Sequence, residues 1–179
     1  MMLDEIQTGN GRTGKYFAYQ HTNIIPDVMT TAKGLGNGFP VGAVMTQGKA
    51  VGLLGAGSHG STYGGTVLGS RVVYTVLDTL EKENAVENAA TIGAYIVDQL
   101  RAELIDQNVQ VRGFGMMIGI QLPKDCAELV AIARDEYKLI INVTAGSVVR
   151  LLPPLNMTQT QADELLQRLV PVIKNFLTA

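Results

Sequence analysis

The sequence predicts an α/β protein in two parts, with α/β structure in residues 1–83 and a small α+β unit in residues 84–179. Many of the 20 glycines fall between residues 9 and 69, where they separate short apolar segments of strand length. A long segment with helical spacing closes this first part. The second part contains fewer glycines and reads as regular helices and strands.

Three short apolar segments in the first part are predicted to be strands. The first ends at Asp4 with only three residues before it, although a typical strand has about five or six residues. The second covers residues 27–31 and follows Pro26. The third covers residues 39–45 and is expected to be buried, with Pro40 at its start because proline cannot donate a ladder hydrogen bond.

Two helices are predicted around the boundary between the parts. Apolar side chains recur at helical spacing from residue 67 to residue 80. Asn84 and Glu87 then form a capping-box pattern, which predicts the start of a second helix. The core stripe of this second helix is expected to comprise Val86, Ala89, Ala90, Gly93, Val97, Leu100 and Leu104.

The remaining segments predict, in order, a strand over residues 116–122, a helix over 128–137, and a hairpin of 139–143 and 148–152 around Ala145-Gly146. Thr158 and Gln161 repeat the capping-box pattern and predict the start of a last helix. Pro171 should kink that helix, because proline removes a hydrogen bond from the helical ladder.

The composition is that of a globular protein, with 46% apolar and 17% charged residues. A net charge of -2 gives no reason to expect a nucleic acid or an anionic membrane as partner. No apolar run reaches the roughly 20 residues of a membrane span, and the first residues lack the pattern of a secretory signal. The single cysteine, Cys126, excludes an internal disulfide and a cysteine zinc cluster. We therefore expect a cytoplasmic protein without a metal site.

Residues 9–16, GNGRTGKY, have the spacing of a nucleotide-binding P-loop except at the last position. Tyr16 stands where a small hydroxyl side chain must ligate magnesium, and residues 5–8 separate the loop from the preceding strand. We therefore expect no nucleotide site in this segment.

Lys33 ends the second predicted strand and precedes Gly34-Leu35-Gly36-Asn37, where the backbone can bend sharply. A lysine that faces a crevice can act as an amine nucleophile if it is desolvated. Considered alone, Lys33 is more typical of a solvated turn lysine.

Residues 58–65, SHGSTYGG, place three hydroxyl side chains and several glycines directly before the first long helix. Hydroxyls at a helix N-terminus are typical of a phosphate site. Simple N-capping, which needs a single hydroxyl, explains the segment equally well.

Arg150 lies between apolar neighbours, and strand alternation puts it on the same face as Val148 and Leu152. A guanidinium in such a place is costly unless it meets a carboxylate, although an exposed edge strand would also explain it. Together, the carboxylate, the lysine, the hydroxyl-rich segment and this guanidinium suit pyridoxal phosphate (PLP) chemistry.

The sequence resembles the class III, fold-type I PLP-dependent aminotransferases, and especially the acetylornithine aminotransferases. The resemblance covers the whole chain and is carried by LDEIQTGNGRTGKYFAYQH at 3–21, PDVMTTAKGLGNGFPVGAV at 26–44, HGSTYGG at 59–65, VRGFGMMIGIQL at 111–122 and VVRLLPPLNMT at 148–158. It implies that residues 1–83 are the C-terminal portion of the PLP-binding large domain and residues 84–179 the small domain.

The resemblance also implies roles in cofactor binding. Asp4 would pair with the pyridinium nitrogen and keep the ring protonated, and Glu5 would belong to the same cofactor-binding segment. Ile6 would lie against the ring, and Gln7 would bond near the phenolic oxygen. Lys33 would form the Schiff base with the cofactor and then shuttle the proton of the reaction.

Other implied roles concern the substrate and the neighbouring subunit. Ser61 would contact the substrate, Thr62 would bind the cofactor phosphate in the neighbouring subunit of a homodimer, and Arg150 would bind a substrate carboxylate. Thr66 departs from the family, which often has asparagine there, so the geometry of the helix start is open.

The implied activity is transfer of the terminal amino group of N-acetylornithine to 2-oxoglutarate, in arginine biosynthesis. Ornithine, succinylornithine or 4-aminobutyrate are alternative amino donors. In the family a long segment precedes the strand of Asp4, so we expect this chain to be the C-terminal part of such an enzyme. We expect the 179 residues alone to show no transaminase turnover and weak cofactor uptake, and a non-catalytic folded or dimerising module is the alternative.

Overall fold

The computed structural model describes residues 1–178, and these form two compact units. Unit 1 comprises Met1–Val86, and unit 2 runs from Glu87 to the end of the described chain. Each unit contains its own β-sheet.

Unit 1 contains a three-stranded sheet followed by one long helix. The strands are β1 (Met2–Asp4), β2 (Val28–Thr31) and β3 (Ala43–Thr46), and the helix is α1 (Val67–Lys82). Strand β1 pairs in parallel with β2, and β3 pairs antiparallel on the other side of β2. The very short first strand and the helix after residue 66 are as the sequence predicts.

The prediction of a buried strand over residues 39–45 is wrong in extent and in burial. Strand β3 begins only at Ala43, and all four of its side chains are exposed. It lies at the edge of the sheet, and Val44 and Met45 remain 56% and 39% exposed within the described chain. An apolar sequence indicates a preference for burial, but burial also needs an element packed over the strand.

Unit 2 contains the rest of the secondary structure. In chain order the elements are α2 (Ala85–Glu103), β4 (Gln110–Phe114), β5 (Met117–Gln121), α3 (Leu129–Tyr137), β6 (Asn142–Thr144), β7 (Val148–Leu151) and α4 (Gln159–Thr178). Helix α2 begins two residues before the unit boundary. The four strands are antiparallel in the order β4-β5-β7-β6, and β4 was not predicted.

The core of unit 2 lies between one face of its sheet and its helices. Fully buried side chains include Ile118 and Val149 from the sheet, Ile96 from α2 and Leu169 from α4. The predicted core stripe of α2 is confirmed except at Ala90, which is exposed. The prediction did not include Ile92 and Ile96, which are also buried. Each fully buried aliphatic side chain contributes about 1.5–3 kcal/mol, so this core stabilises unit 2 strongly.

The helix starts differ from one another. The capping box before α4 is confirmed, since Thr158 N donates to Gln161 Oε1 at 2.9 Å and Gln161 N donates to Thr158 Oγ1 at 3.3 Å. Asn84 instead has a φ of 50°, whereas an N-cap residue is normally extended, so a capping box there is not supported. Pro171 lies inside α4, and the kink stays a prediction.

Candidate active site

The carboxyl ends of β1 and β2 bring two predicted site residues to one edge of the sheet. Asp4 is the last residue of β1 and stands opposite Thr30 of β2. Lys33 follows the end of β2 by two residues. Because the two strands are parallel, Asp4 and Lys33 leave the sheet at the same edge. Open α/β sheets bind ligands at this edge.

The carboxylate of Asp4 is held by its own neighbourhood through one oxygen. Asp4 Oδ1 accepts hydrogen bonds from Ile6 N at 2.9 Å and from Thr30 Oγ1 at 3.4 Å. Neither bond uses Oδ2, and the residue is exposed. The carboxylate is therefore oriented while one oxygen remains available to a donor from a ligand.

Lys33 occupies an unfavourable backbone conformation. Its φ is 46°, in the left-handed region that residues with a Cβ rarely adopt. The turn is closed by bonds from Leu35 N to Ala32 O at 3.0 Å and from Asn37 N to Lys33 O at 3.1 Å. The Lys33 side chain is exposed, and no residue of 1–178 forms a hydrogen bond or ion pair with Nζ. Such strained residues are concentrated at functional sites.

Asn10 fixes the backbone that leads into Lys33, a function that the sequence did not reveal. Its side chain is 5% exposed, and Nδ2 donates to Thr31 Oγ1 at 2.9 Å and to Ala32 O at 3.2 Å. A Cβ added at Gly34 would lie 3.2 Å from Asn10 Cβ, so the loop is in close contact on both sides of Lys33. The segment that resembles a P-loop thus supports the lysine turn.

The carboxylate of Glu5 forms its hydrogen bonds with residues of its own loop. The carboxylate is 3% exposed and accepts bonds from Thr8 Oγ1, from Ala18 N at 2.9 Å and from Tyr19 N at 2.8 Å. These three donors occupy both oxygens. The expectation that Glu5 contacts a cofactor is therefore not supported by this geometry, which shows the side chain organising residues 5–19.

The other predicted residues of unit 1 are less constrained. Ile6 and Gln7, two and three residues after Asp4, are half-buried. Ser61 and Thr62 are exposed, and neither hydroxyl hydrogen-bonds to a residue within 1–178. Thr66 caps α1, because its Oγ1 accepts from Gly69 N at 3.4 Å. Both earlier hydroxyls therefore remain available for another function.

An apolar cavity of about 470 Å³ in unit 1 borders residues that support the Lys33 turn, among them Asn10 and Thr31. Its lining includes Thr31, Met45 and Leu77. Side chains alternate along a strand, so Thr31 faces the side of the sheet opposite to Thr30 and its partner Asp4. The cavity is therefore distinct from the site of Asp4.

Arg150, in β7 of unit 2, lacks the carboxylate partner that its sequence surroundings suggested. Its Nη2 donates to Asn142 Oδ1 at 3.0 Å, an amide oxygen on the neighbouring strand β6. Its Nε is buried and has no hydrogen-bond partner among the described residues. A buried donor without an acceptor is costly. The Nε therefore favours binding of an acceptor from outside the chain.

Other chemistries find less support within residues 1–178. No group of three or more His, Cys, Asp or Glu side chains is placed to hold a metal ion. Cys126 is fully buried, and burial, together with the charge of Asp125, raises the pKa of its thiol. A raised pKa makes a thiol a poorer nucleophile at neutral pH. No described helix has the length and apolar character needed to cross a membrane.

Comparison with known proteins decides the family. The family model described as aminotransferase class-III matches residues 1–173. The chain belongs to the class-III aminotransferase family.

Relatives within the family agree along the whole chain. The acetylornithine aminotransferase of Nitrosomonas europaea is 45% identical over 179 residues, which are 99% of this chain and 45% of that protein. The chain thus spans about half the length of the curated relatives it matches.

Solved structures of ornithine aminotransferases have the same fold. The ornithine aminotransferase of Plasmodium yoelii superposes with a TM-score of 0.91 at 34% identity, covering 98% of this chain and 48% of that one. An ornithine aminotransferase of Toxoplasma gondii, with PLP in its active site at partial occupancy, gives 0.91 at 30% identity over 99% of this chain and 44% of that one. The predicted α/β fold, the C-terminal portion of a fold-type I transferase, is confirmed.

The family implies PLP as cofactor, and the residues present fit it. PLP requires a carboxylate for its ring nitrogen and a lysine amine for its aldehyde. Asp4 supplies an oriented carboxylate with an available oxygen, and Lys33 supplies an unpaired amine at the same sheet edge.

Proposed function

We propose that this chain contributes the lysine-bearing part of an aminotransferase that transfers the terminal amino group of N-acetylornithine to 2-oxoglutarate. The observation that carries the proposal is the placement of Asp4 and Lys33 after two neighbouring parallel strands. The name of the Nitrosomonas relative supports the choice of amino donor. Residues 1–83 then belong to the PLP-binding large domain, and residues 84–179 form the small domain.

In this proposal Asp4 controls the protonation of the cofactor ring. PLP, when bound, supplies the electron sink for the breaking carbon–hydrogen bond of the substrate. Asp4 Oδ2 would accept a hydrogen bond from the ring nitrogen, while the bonds to Oδ1 from Ile6 N and Thr30 Oγ1 keep the carboxylate in place. A charge-assisted bond of this kind keeps the proton on the ring nitrogen.

Lys33 Nζ would hold the cofactor at its aldehyde carbon, and as a free amine it would accept the proton of the substrate carbon and return it. The hydrogen bonds from Asn10 to Thr31 and Ala32 fix the backbone that precedes Lys33. Ile6 and Gln7, two and three residues after Asp4, would border the ring and its phenolic oxygen. Glu5 maintains the shape of their loop instead of contacting the cofactor.

The remaining proposed roles concern substrate and subunits. Arg150 binds a substrate carboxylate, supported by its buried and unpartnered Nε. Ser61 contacts the substrate, and Thr62 binds the cofactor phosphate of the partner subunit in a cytoplasmic homodimer. Both hydroxyls are exposed and take no part in capping α1, which leaves them available for these roles.

Ornithine is the second candidate amino donor. The structures of two ornithine aminotransferases superpose on this chain with TM-scores of 0.91. Comparing turnover of N-acetylornithine and ornithine by the complete protein distinguishes the two activities. A kcat/KM for ornithine above that for N-acetylornithine would replace the first assignment.

Selective labelling of Lys33 tests the proposal. The protein is incubated with PLP, reduced with borohydride and digested, and the pyridoxyl-bearing peptides are identified by mass spectrometry. Lys15 and Lys49 are exposed lysines of the same unit and serve as internal references. We expect the label on Lys33 in excess of both.

The Lys33→Arg variant is the matched control, since it keeps the positive charge and removes the reactive amine. It should lose the preferred label while the labelling of Lys15 and Lys49 stays unchanged. Equal labelling of the three lysines in the parent protein would contradict the assignment of Lys33.

A further inference from the structure

Two asparagines of the chain are followed directly by a glycine, in Asn10-Gly11 and in Asn37-Gly38. In such a pair the backbone nitrogen of the glycine can attack the side-chain amide of the asparagine, because glycine has no Cβ to obstruct the approach. Both pairs lie in loops of unit 1. Their surroundings differ, and the difference decides which of them can react.

The pair Asn10-Gly11 is held by hydrogen bonds at both reacting groups. Asn10 is buried, and its Nδ2 donates to Thr31 Oγ1 at 2.9 Å and to Ala32 O at 3.2 Å. Gly11 N, the group that would attack, donates to Tyr16 O at 3.3 Å. The reaction at this pair would therefore first have to break three hydrogen bonds in the interior of the unit.

The pair Asn37-Gly38 has none of these restraints. Both residues are exposed. Within residues 1–178 neither the side-chain amide of Asn37 nor the backbone nitrogen of Gly38 forms a hydrogen bond. An added Cβ at Gly38 would meet no atom within 4 Å, so the space around the pair is open. The amide carbon and the backbone nitrogen can approach each other without first losing a partner.

We propose that Asn37 is a site of spontaneous deamidation. Gly38 N loses its proton and attacks Asn37 Cγ, the bond from Cγ to Nδ2 breaks, and Nδ2 leaves as ammonia. Water then opens the resulting five-membered imide at either of its carbonyl groups. The products are aspartate and isoaspartate, and in isoaspartate the backbone runs through the former side-chain carbon. Water is the only reactant that the step consumes.

The modified residue belongs to the turn of Lys33. Asn37 N donates to Lys33 O at 3.1 Å, and either product places a carboxylate where the neutral amide stood. Isoaspartate also lengthens the backbone of the turn by a carbon atom. The turn therefore changes irreversibly in charge and in shape as the protein ages. The consequence for Lys33 rests on the proposed function, whereas the modification itself does not.

Ageing of the 179-residue chain in H₂¹⁸O tests the proposal. The protein is kept at mildly alkaline pH and then digested with trypsin in ordinary water, which places the two pairs in the separate peptides 1–12 and 34–49. Mass spectrometry detects the ¹⁸O that opening of the imide leaves in the new carboxylate. Each hydrogen bond that must break first slows a reaction by about two- to tenfold, so Asn37 should convert at least about tenfold faster than Asn10.

An internal reference and a variant locate the effect. Asn108 is exposed and has a φ of 51°, but it precedes Val109, whose β-branched side chain obstructs the attack. It should convert far more slowly than Asn37. Asn37→Gly removes the amide, and glycine adopts the φ of 44° at this position without strain. The variant should gain no ¹⁸O at position 37.

Labelling with PLP and borohydride then measures the effect on Lys33. The pyridoxyl label on Lys33 should fall in aged parent protein, because the turn that carries the amine has changed. It should stay constant in aged Asn37→Gly, which cannot deamidate at this position. The exposed Lys49 of the same unit is the reference within each sample.

The proposal is overturned if position 37 gains no ¹⁸O, or if Asn10 or Asn108 converts as fast as Asn37. A constant Lys33 label in aged, deamidated parent protein would overturn the consequence for the lysine. The ¹⁸O measurement needs no PLP, so it succeeds or fails independently of the cofactor. Failure of the Lys33 labelling in fresh protein would defeat the proposed function and leave the deamidation result unaffected.

Discussion

The two units differ in what holds them together. Unit 2 buries a continuous apolar cluster between its sheet and its helices, and most of the buried apolar side chains of the chain belong to it. Unit 1 contains most of the large apolar side chains that are exposed, among them Met2, Val44 and Leu68. Its buried polar groups are instead Glu5, Asn10 and two threonines.

This difference indicates how each unit is suited to its function. The hydrophobic effect is non-directional, and the apolar core of unit 2 gives a stable sheet on which Arg150 is presented. Hydrogen bonds are directional, and in unit 1 those of Glu5 and Asn10 fix the loops that carry the proposed cofactor residues. The expectation is that packing changes damage unit 2 most and that changes of polar groups damage unit 1 most.

The largest effect is expected at the helical glycine of unit 2. A Cβ at Gly93 in α2 would lie 2.1 Å from Gly115 O, a backbone atom that cannot move aside. Gly93→Ala should therefore lower the free energy of unfolding by about 3 kcal/mol or more. The measurement is urea unfolding followed by circular dichroism.

The matched control is Gly69→Ala in α1 of unit 1. There the nearest atoms to an added Cβ are the side-chain atoms Thr66 Oγ1 at 3.1 Å and Phe39 Cε1 at 3.3 Å. The change should stay within about 1 kcal/mol, because alanine favours the helix by a similar amount. Equal losses for the two variants would contradict the distinction between the units.

An intermediate effect is expected from Glu5→Gln. In the wild-type chain Ala18 N and Tyr19 N each donate a hydrogen bond to a carboxylate oxygen of Glu5. The side-chain amide nitrogen of glutamine cannot accept such a bond, so one of the donors would lose its acceptor. We expect a loss of about 2 kcal/mol, visible as faster hydrogen exchange in residues 15–21 with little change in unit 2. Glu136→Gln, on an exposed glutamate of unit 2, is the control. Unchanged exchange in residues 15–21 would show that Glu5 does not organise the loop.

The smallest effect is expected in the stability of unit 2, which should depend on pH through the ionisation of Cys126. Burial raises the thiol pKa in the folded state, so the unfolded chain loses this proton at lower pH than the folded chain does. The stabilisation is complete below the unfolded-state pKa of about 8.5 and is lost as pH rises from there towards the raised pKa of the folded state. Cys126→Ala should flatten the decline of Tm over this range. An unchanged slope would rule out the thiol as its source.

Regular helices were predictable because their signals are local. The apolar spacing of α1 and the reciprocal capping-box hydrogen bonds of Thr158 and Gln161 depend on residues a few positions apart. Strand β4 was missed because its two large apolar side chains, Val111 and Phe114, do not stand at alternating positions. The strand is defined instead by its hydrogen bonds to β5. The burial of β3 was mispredicted because burial depends on elements distant in sequence.

The same distinction applies to the candidate site. Asp4 and Lys33 could be proposed from their strand ends and from the family motifs. The supporting contact of Asn10 with Thr31 could not, because it joins a loop to a strand 21 positions away in the chain. Local sequence patterns contain no information on register between strands that are far apart in the chain.

The left-handed backbone of Lys33 places stability and chemistry in opposition at a single position. Glycine would adopt a φ of 46° without a steric penalty, so Lys33→Gly relieves the turn while it deletes the amine. Selection for a more stable turn alone would replace the lysine. Screens that enrich stable variants of this chain should therefore favour glycine at position 33, and each such gain in stability would remove the amine proposed to hold the cofactor.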